Sequence, residues 1–471
     1  MRHPASFRDP SGYIAEIDGE IYRFIHPTAQ ENFAKYIDSG LHAELTSAGL
    51  IIDHQDLGLS FALAPHGWQT IKPNRVDRIS YASEWCFSQL RDAGLLTLEV
   101  QTRALKKGFS LKDASSYNVQ FDGAKPVFID TLSFEPSKGD ESWVAYRQFC
   151  EHFLAPVALM SYCKPDIYKL WNAQIDGVTI SLASSLLPLK SWFNLGITTH
   201  IHLHALSGSK VDDGANNGNV KSRSLSGFQL NLANSLNKTL NSISEPKNPS
   251  NWANYRQDNT YQHSDAQSKL KFIKEVVNGI GAKNILDLGS NDGHYSKELS
   301  KVGLTCTAVE SDLACCEFLY KKSKEDKSLE NLLGLHIDLC NPTPSYGWAS
   351  KERASFTSRY KFDLVLALAL IHHLSIGQNV PYERVASYLA ELSENLIVEY
   401  IPPADVMSQK LLFSRPALQG DAENIFGHNS FEECFTRYFH IIKTSSEIAG
   451  GRILYQMKLN KNLCNQSSER H

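Results

Sequence analysis

The stretch "AKNILDLGSNDGHYSKELSKVGLTCTAVESD", Ala282 to Asp312, reads as strand, tight turn, helix, strand. "NILDLG" is a short apolar run bounded by turn residues, as a strand buried on both faces requires, and Asp287 stands near its end. Gly289 and Gly293 bracket the turn, where a missing Cβ lets the backbone bend sharply and approach a ligand closely. The helix that follows leads into "TCTAVES", a second strand ending in Glu310.

Outward from this unit the alternation repeats. "LLGLHIDLCNP" supplies a third strand ending near Asp338, "FDLVLALALIHHL" a fourth running through Ala367, and "ENLIVEYIPP" a fifth ending at Glu399. Helical patterns separate most of them. Strands alternating with helices specify an α/β fold with a doubly wound, Rossmann-like parallel sheet. Ligands of such sheets sit outside the carboxyl ends of the strands, at the switch point. Asp287, Gly289, Glu310, Asp338 and Ala367 are therefore expected to converge there. Glu310 is placed to accept hydrogen bonds from ribose hydroxyls, and Asp338 to meet an adenine amino group.

The turn lacks the GxGxxG of dinucleotide-binding folds. "DLGSNDGHYS" resembles motif I of the class I S-adenosylmethionine-dependent methyltransferases, and the similarity covers roughly residues 251 to 458. The resemblance implies S-adenosylmethionine as cofactor. Asp287, Gly289, Ser290, Asn291 and Gly293 would surround its methionine part, with Glu310 at the ribose and Asp338 and Leu339 flanking the adenine. It also implies methyl transfer to oxygen or nitrogen of an acceptor. "ALIHHL" follows the fourth strand, where this family often places substrate-facing residues. His372 or His373, with His373 preferred, could take a proton from a hydroxyl or amine, and Glu399 is a second candidate base. Upstream, Tyr255 and Tyr261 are candidates to close over the cofactor.

A second constellation lies far from the first. In "LKDASSYNVQFDGAKPVFID", Leu111 to Asp130, a helical run is followed by Asp113, by Asn118, by a hairpin turning at Asp122-Gly123, and by Asp130 at a strand end. This order resembles the catalytic core of kinase-like folds of the aminoglycoside-phosphotransferase and lipopolysaccharide-kinase types. By that resemblance Asp113 would orient an acceptor hydroxyl, and Asn118 and Asp130 would hold Mg²⁺ against ATP phosphates. "GYIAEIDGEIYRFI" alternates as a hairpin, and a helix containing Glu44 follows, as in a small lobe. There are departures. No Gly-rich loop is visible, Arg23 stands near the place of the expected lysine, and Asp130 is followed by Thr-Leu. The combined pattern also resembles a family of bacterial proteins of which some are associated with nodulation or surface-polysaccharide genes, which implies a sugar or surface-glycan precursor as acceptor.

At 471 residues the chain exceeds one ordinary domain. The expected division is an α+β, kinase-like domain at 1–205, a polar linker with a short helix at 206–250, the methyltransferase domain at 251–460 and a frayed tail at 461–471. With 42% hydrophobic and 21% charged residues and a formal net charge of −4, nothing in the bulk calls for nucleic acid or an anionic membrane as partner. Nine scattered cysteines without a CxxC pair suit reduced, packed thiols and a cytoplasmic location. The start "MRHPASFRDPSGY" has no apolar core of a secretory signal. The apolar stretch Val178 to Leu206 is interrupted by Pro188, Lys190 and Asn194, so no transmembrane segment is expected. Its His200, His202 and His204 would share one face on a strand and scatter on a helix. Without an acidic or Cys partner nearby, no metal site is expected. "ERASFTSRYK" reads as a solvated basic loop that could meet a phosphate. Two further readings stay open: a bifunctional kinase–methyltransferase built on Asp113, Asn118 and Asp130, and a cofactor-binding scaffold without turnover.

Overall fold

The computed structural model describes residues 2–58, 68–164, 167, 174–208, 227–246 and 263–461. Tyr255, Tyr261, residues 209–226 and 247–250 of the expected linker, and the tail at 462–471 lie outside the described residues. The chain forms two compact units: Met1–Asn248 together with Thr343–Ser355, and Pro249–Pro342 together with Phe356–His471.

The first unit is α+β. Strands β1 (Gly12–Ile17) and β2 (Glu20–Ile25) form the expected hairpin. Asp18 and Gly19 both have positive φ, 52° and 80°, which is the geometry a two-residue turn needs to match the strand twist. With β3 (His54–Gly58) and β4 (Gln69–Pro73) they make an antiparallel sheet in the order β1-β2-β4-β3. The helix Phe87–Lys106 then leads into β5 (Phe109–Leu111), the β6 (Val119–Asp122)–β7 (Lys125–Phe128) hairpin and β8 (Phe134–Pro136), which pairs with β5. The helix Phe228–Ser242, expected inside a linker, packs on Phe87–Lys106 with Ala233, Leu236 and Leu240 fully buried. Its Gln229 Oε1 accepts hydrogen bonds from Gln101 Nε2 and Ser110 Oγ, at 3.1 and 2.8 Å.

The second unit is built on a seven-stranded sheet. Its strands are β9 (Asn284–Leu288), β10 (Thr305–Glu310), β11 (Leu332–His336), β12 (Leu364–Ala367), β13 (Asn395–Tyr400), β14 (Phe439–Thr444) and β15 (Ile453–Leu459). The order is β11-β10-β9-β12-β13-β15-β14. The first five are parallel, while β15 runs antiparallel to both β13 and β14. Helices cover the sheet, so its central strands are buried on both faces and read as unbroken apolar runs. All four residues of β12 are buried, as are Ile285, Leu286 and Leu288 of β9. Burying each such side chain contributes about 1.5–3 kcal/mol, more than the roughly 1 kcal/mol span of strand propensity. The sheet crosses over between β9 and β12, which puts the switch point beside Asp287.

Between β11 and β12 the chain leaves this unit, and Thr343–Ser355 belongs to the first. The Arg353 guanidinium lies over the Tyr117 ring at 3.8 Å, the Tyr346 and Tyr117 hydroxyls are 3.1 Å apart, and Arg8 donates twice to the Glu352 carboxylate, at 2.7 and 2.9 Å. The expectation of a solvated loop at "ERASFTSRYK" is thereby corrected. Glu352 is buried under its bidentate pair with Arg8, and Phe356 and Tyr360, in the second unit, are buried with their ring centroids 5.6 Å apart.

Among the described residues no helix is long and apolar enough to cross a membrane. The Val178–Leu206 stretch breaks into short helices. Its histidines are scattered by the helical turn; two of them are satisfied locally, while His204 Nδ1 is buried without a hydrogen-bond partner. The ring nitrogens of His200 meet Tyr146 and Ser235, and those of His202 meet Ser184 and Ser191.

Candidate functional site

The carboxyl ends of β9, β10, β11 and β12 open into a cavity of about 820 Å³ in the second unit. Asp287, Gly289, Ser290, Asn291, Glu310, Asp338, Leu339, His373 and Glu399 all line it. Two expected cofactor residues do not. Gly293 starts the helix His294–Ser300 at φ 71°, and a Cβ there would meet Leu319 Cδ1 at 2.6 Å. Ala367 is buried within β12, and its successors Leu368 and Ala369 reach the cavity instead.

The turn after β9 is strapped to the next strand. The Gly289 and Ser290 N–H groups both donate to the Val309 carbonyl, at 2.9 and 3.1 Å. Gly289 has φ 68°, and a Cβ on it would stand 3.0 Å from Leu370 Cδ1, so glycine is needed for backbone and space alike. Asn291 also takes a positive φ, 51°, which Asn tolerates better than most residues.

Glu310 fixes this turn. Its Oε2 accepts from the Asn291 N–H at 2.8 Å, and its Oε1 accepts from the Ser311 and Asp312 N–H groups at 2.7 and 2.9 Å. A carboxylate has about four lone-pair sites, so Oε2 keeps one for a ligand hydroxyl. Asp338 Oδ1 accepts from the Cys340 N–H at 2.9 Å, which holds the loop after β11.

Asp287 is buried, and Ser296 Oγ donates to its Oδ2 at 2.5 Å. Burial pushes its pKa up to about 7, against the hydrogen bonds from Ser296. Ser290 Oγ is buried without a hydrogen-bond partner, a cost a bound polar group would relieve. The lining carries five carboxyl groups (Asp287, Asp292, Glu310, Asp338 and Glu399), and Lys269 is its single lysine or arginine among the described residues. This cavity suits a cationic ligand that carries hydroxyl groups.

The two histidines after β12 divide. His373 faces the cavity, and burial lowers its pKa to about 4, so the ring is neutral near pH 7. His372 does not line the cavity. It is fully buried, neither ring nitrogen has a partner, and burial holds it well below the usual histidine range. It packs its ring against His373 at 4.1 Å. Glu399 is fully buried and committed: Lys269 Nζ donates to Oε1 at 2.5 Å and the Ala369 N–H donates to Oε2 at 2.9 Å. Arg452 and Asp405 extend the group, with Arg452 Nε 2.8 Å from Asp405 Oδ2. Glu399 thus holds Ala369 at its left-handed φ of 48°, beside the loop that carries His373.

Sequence reasoning missed Lys269, His294, Tyr295 and Leu411 in the lining. Lys269 had one available signal: it lies on the helix that enters the sheet, and the fifth strand ends in an acid.

Asp113, Asn118 and Asp130 also come together, in the first unit. Asn118 Nδ2 lies 3.4 Å from the Asp113 carbonyl and 3.3 Å from Ser133 Oγ, and Ser133 in turn donates to Asp130. The Asp130 carboxylate is paired with the Arg23 guanidinium. Burial would raise its pKa, but Arg23 and the hydrogen bonds to it prevail and hold it below the usual range. Glu44 faces Arg103 and Lys107, at 3.5 and 3.7 Å.

The strand order, the glycine turn and the acids at the strand ends define the Rossmann-like fold of methyltransferases. The chain as a whole belongs to the family of nodulation protein NoeA. It is 30% identical over 465 residues to NoeA of Rhizobium meliloti (strain 1021), covering 96% of this chain and 95% of that protein. A stretch of 109 residues is 27% identical to the ubiquinone biosynthesis O-methyltransferase of Pasteurella multocida (strain Pm70), covering 22% of this chain and 42% of that one. Among solved structures, the bifunctional kinase-methyltransferase WbdD is 16% identical, with a TM-score of 0.28 over 42% of this chain and 40% of that one. The magnesium protoporphyrin IX methyltransferase of Synechocystis PCC 6803 with bound SAH is 15% identical, with a TM-score of 0.28 over 45% and 96%. No family model matches the chain.

Proposed function

We propose that the second unit is a class I methyltransferase that binds S-adenosylmethionine and methylates an oxygen of a small acceptor, with a sugar or glycan precursor as the acceptor class. The observation that carries this reading is the acid-rich cavity at the β9–β12 ends, where Gly289, Glu310 and Asp338 converge. S-adenosylmethionine supplies a methyl group on a cationic sulfonium, which leaves as a neutral thioether. The carboxylates of the lining favour that positive charge and the amino group of the methionine part. Glu310 Oε2 takes a ribose hydroxyl, and Ser290 Oγ finds its partner in the bound ligand. Alignment of acceptor and methyl is the main demand, met by the loop Leu368–Leu370 and the lining side chains. His373, neutral at pH 7, takes the hydroxyl proton of the acceptor. Oxygen is preferred over nitrogen because two relatives, matched over 109 and 112 residues, are O-methyltransferases by name.

The test is a calorimetric titration of the full chain with S-adenosylmethionine, repeated on Gly289→Arg with circular dichroism as the folding control. Saturable binding by the native chain that a folded Gly289→Arg lacks supports the reading. A native chain that binds no S-adenosylmethionine sinks it.

A further inference from the structure

In the first unit, a group of donor atoms plays no part in the chemistry above. His42 stands in the helix Leu41–Ser47, and Asp53 and His54 lead into β3. One nitrogen from each imidazole and one carboxylate oxygen lie within 4.8 Å of one another. The two rings pack at 4.3 Å between centroids, and His42 Nε2 is 3.5 Å from Asp53 Oδ1.

The surroundings prepare these atoms as ligands. The Tyr36 hydroxyl sits 3.0 Å from His42 Nδ1. That contact engages one ring nitrogen and leaves Nε2 on the Asp53 side, the arrangement by which outer partners orient metal-binding imidazoles. The His54 N–H donates to Asp53 Oδ1 at 2.8 Å, which sets the carboxylate beside its neighbour's ring. His54 Nδ1 is buried and has no hydrogen-bond partner. A buried polar atom left so is unfavourable, and a bound cation is one way to satisfy it. Burial holds both imidazoles below the usual range, His54 at about 4 with His42 as a further cause. Both are therefore neutral near pH 7 and hold lone pairs, as metal ligation requires.

We propose that His42, Asp53 and His54 bind one divalent ion of the zinc class, through two imidazole nitrogens and one carboxylate oxygen, with a fourth position open to solvent beside the exposed Asp53. Two His and one carboxylate is an established donor set for zinc. Bonds of about 2.0–2.1 Å place tetrahedral ligands roughly 3.4 Å apart; His42 Nε2 and Asp53 Oδ1 already stand 3.5 Å apart, and the widest separation, at most 4.8 Å, closes by up to about 1.4 Å. The ion ties helix to strand in the sheet that carries Arg23.

The full chain, stripped with a chelator and dialysed, is titrated with Zn²⁺ by calorimetry and with Co²⁺ by visible absorption. One equivalent of Zn²⁺ and tetrahedral-type Co²⁺ bands are expected. Both Asp53→Asn and His54→Gln should weaken Zn²⁺ binding at least tenfold, while His428→Gln, in the other unit, leaves it unchanged. Asp53 is exposed and Asn keeps its backbone contact, so that variant retains the fold. The proposal is overturned if no one-equivalent binding occurs, or if Asp53→Asn and His54→Gln both bind as the native chain does.

Discussion

Burial raises the Asp287 pKa to about 7, so the carboxyl is about half protonated near neutral pH. Its folded pKa lies above the unfolded value, so the folded state binds the proton more tightly. Stability contributed by this group is present at low pH and is lost as pH rises from about 4 to about 7. A cationic cofactor reverses the preference by favouring the carboxylate. Affinity for S-adenosylmethionine should therefore rise with pH, by up to about tenfold per unit below pH 7, and level off above it. Calorimetry between pH 5.5 and 8 reads this directly, and Asp287→Asn should flatten the curve. The paired histidines give a second residue-scale expectation. His373→Ala should lower kcat by at least 10²-fold, within the usual reach of acid–base catalysis, with cofactor affinity little changed. His372→Leu should change stability by less than about 1 kcal/mol, or improve it, because it removes two unsatisfied buried polar atoms. Denaturant unfolding and turnover assays separate the two. The sequence placed both histidines after the fourth strand and preferred His373, but gave no ground for setting His372 wholly apart from the cavity. Their division depends on where the helical turn begins after Leu370, a backbone detail that alternation of residue types does not encode.

At the scale of elements, a buried ion pair joins the helix His263–Ile280 to the end of β13. Lys269 and Glu399 are almost inaccessible, so removing one charge strands the other. Glu399→Gln should cost about 3–5 kcal/mol, measured by denaturant unfolding, and should also impair turnover through the Ala369 loop. Lys269→Met combined with Glu399→Gln should recover much of the lost stability, because no uncompensated charge remains on that side. If the double variant is as unstable as the single one, the pair is not the source of the loss. The five parallel strands were legible because each is buried on both faces and spelled as a continuous apolar run. Glu399 read as a candidate base for the same reason it is conspicuous, an acid at a strand end. Its partner lies 130 residues away in sequence, where no local pattern announces it. The helix Phe228–Ser242 was legible as a helix, but its burial was not. Polar flanks looked like a linker, whereas Gln229 uses its amide to bond within the core.

For the whole molecule, the telling feature is that the chain passes between its two units three times. A fragment of residues 249–471 carries Thr343–Ser355 without Arg8, Tyr81 and Tyr117, the residues that segment contacts. Such a fragment should expose Tyr346 and the stacked face of Arg353 and aggregate. Replacing residues 343–355 by a short Gly/Ser loop should restore a monodisperse protein on size-exclusion chromatography that still binds S-adenosylmethionine. A fragment that is monodisperse with the segment in place would contradict this.

The same threading bears on how such a chain can change over generations. Two domains joined at one point can be exchanged between genes by a single crossover at that point. Here a crossover near residue 248 separates the Thr343–Ser355 segment from the surface it fits, so a chimaera inherits a mismatched patch. The two halves are then expected to descend together, with substitutions at Tyr117 or Arg8 answered by substitutions at Arg353 or Glu352, although these positions lie hundreds of residues apart in the gene.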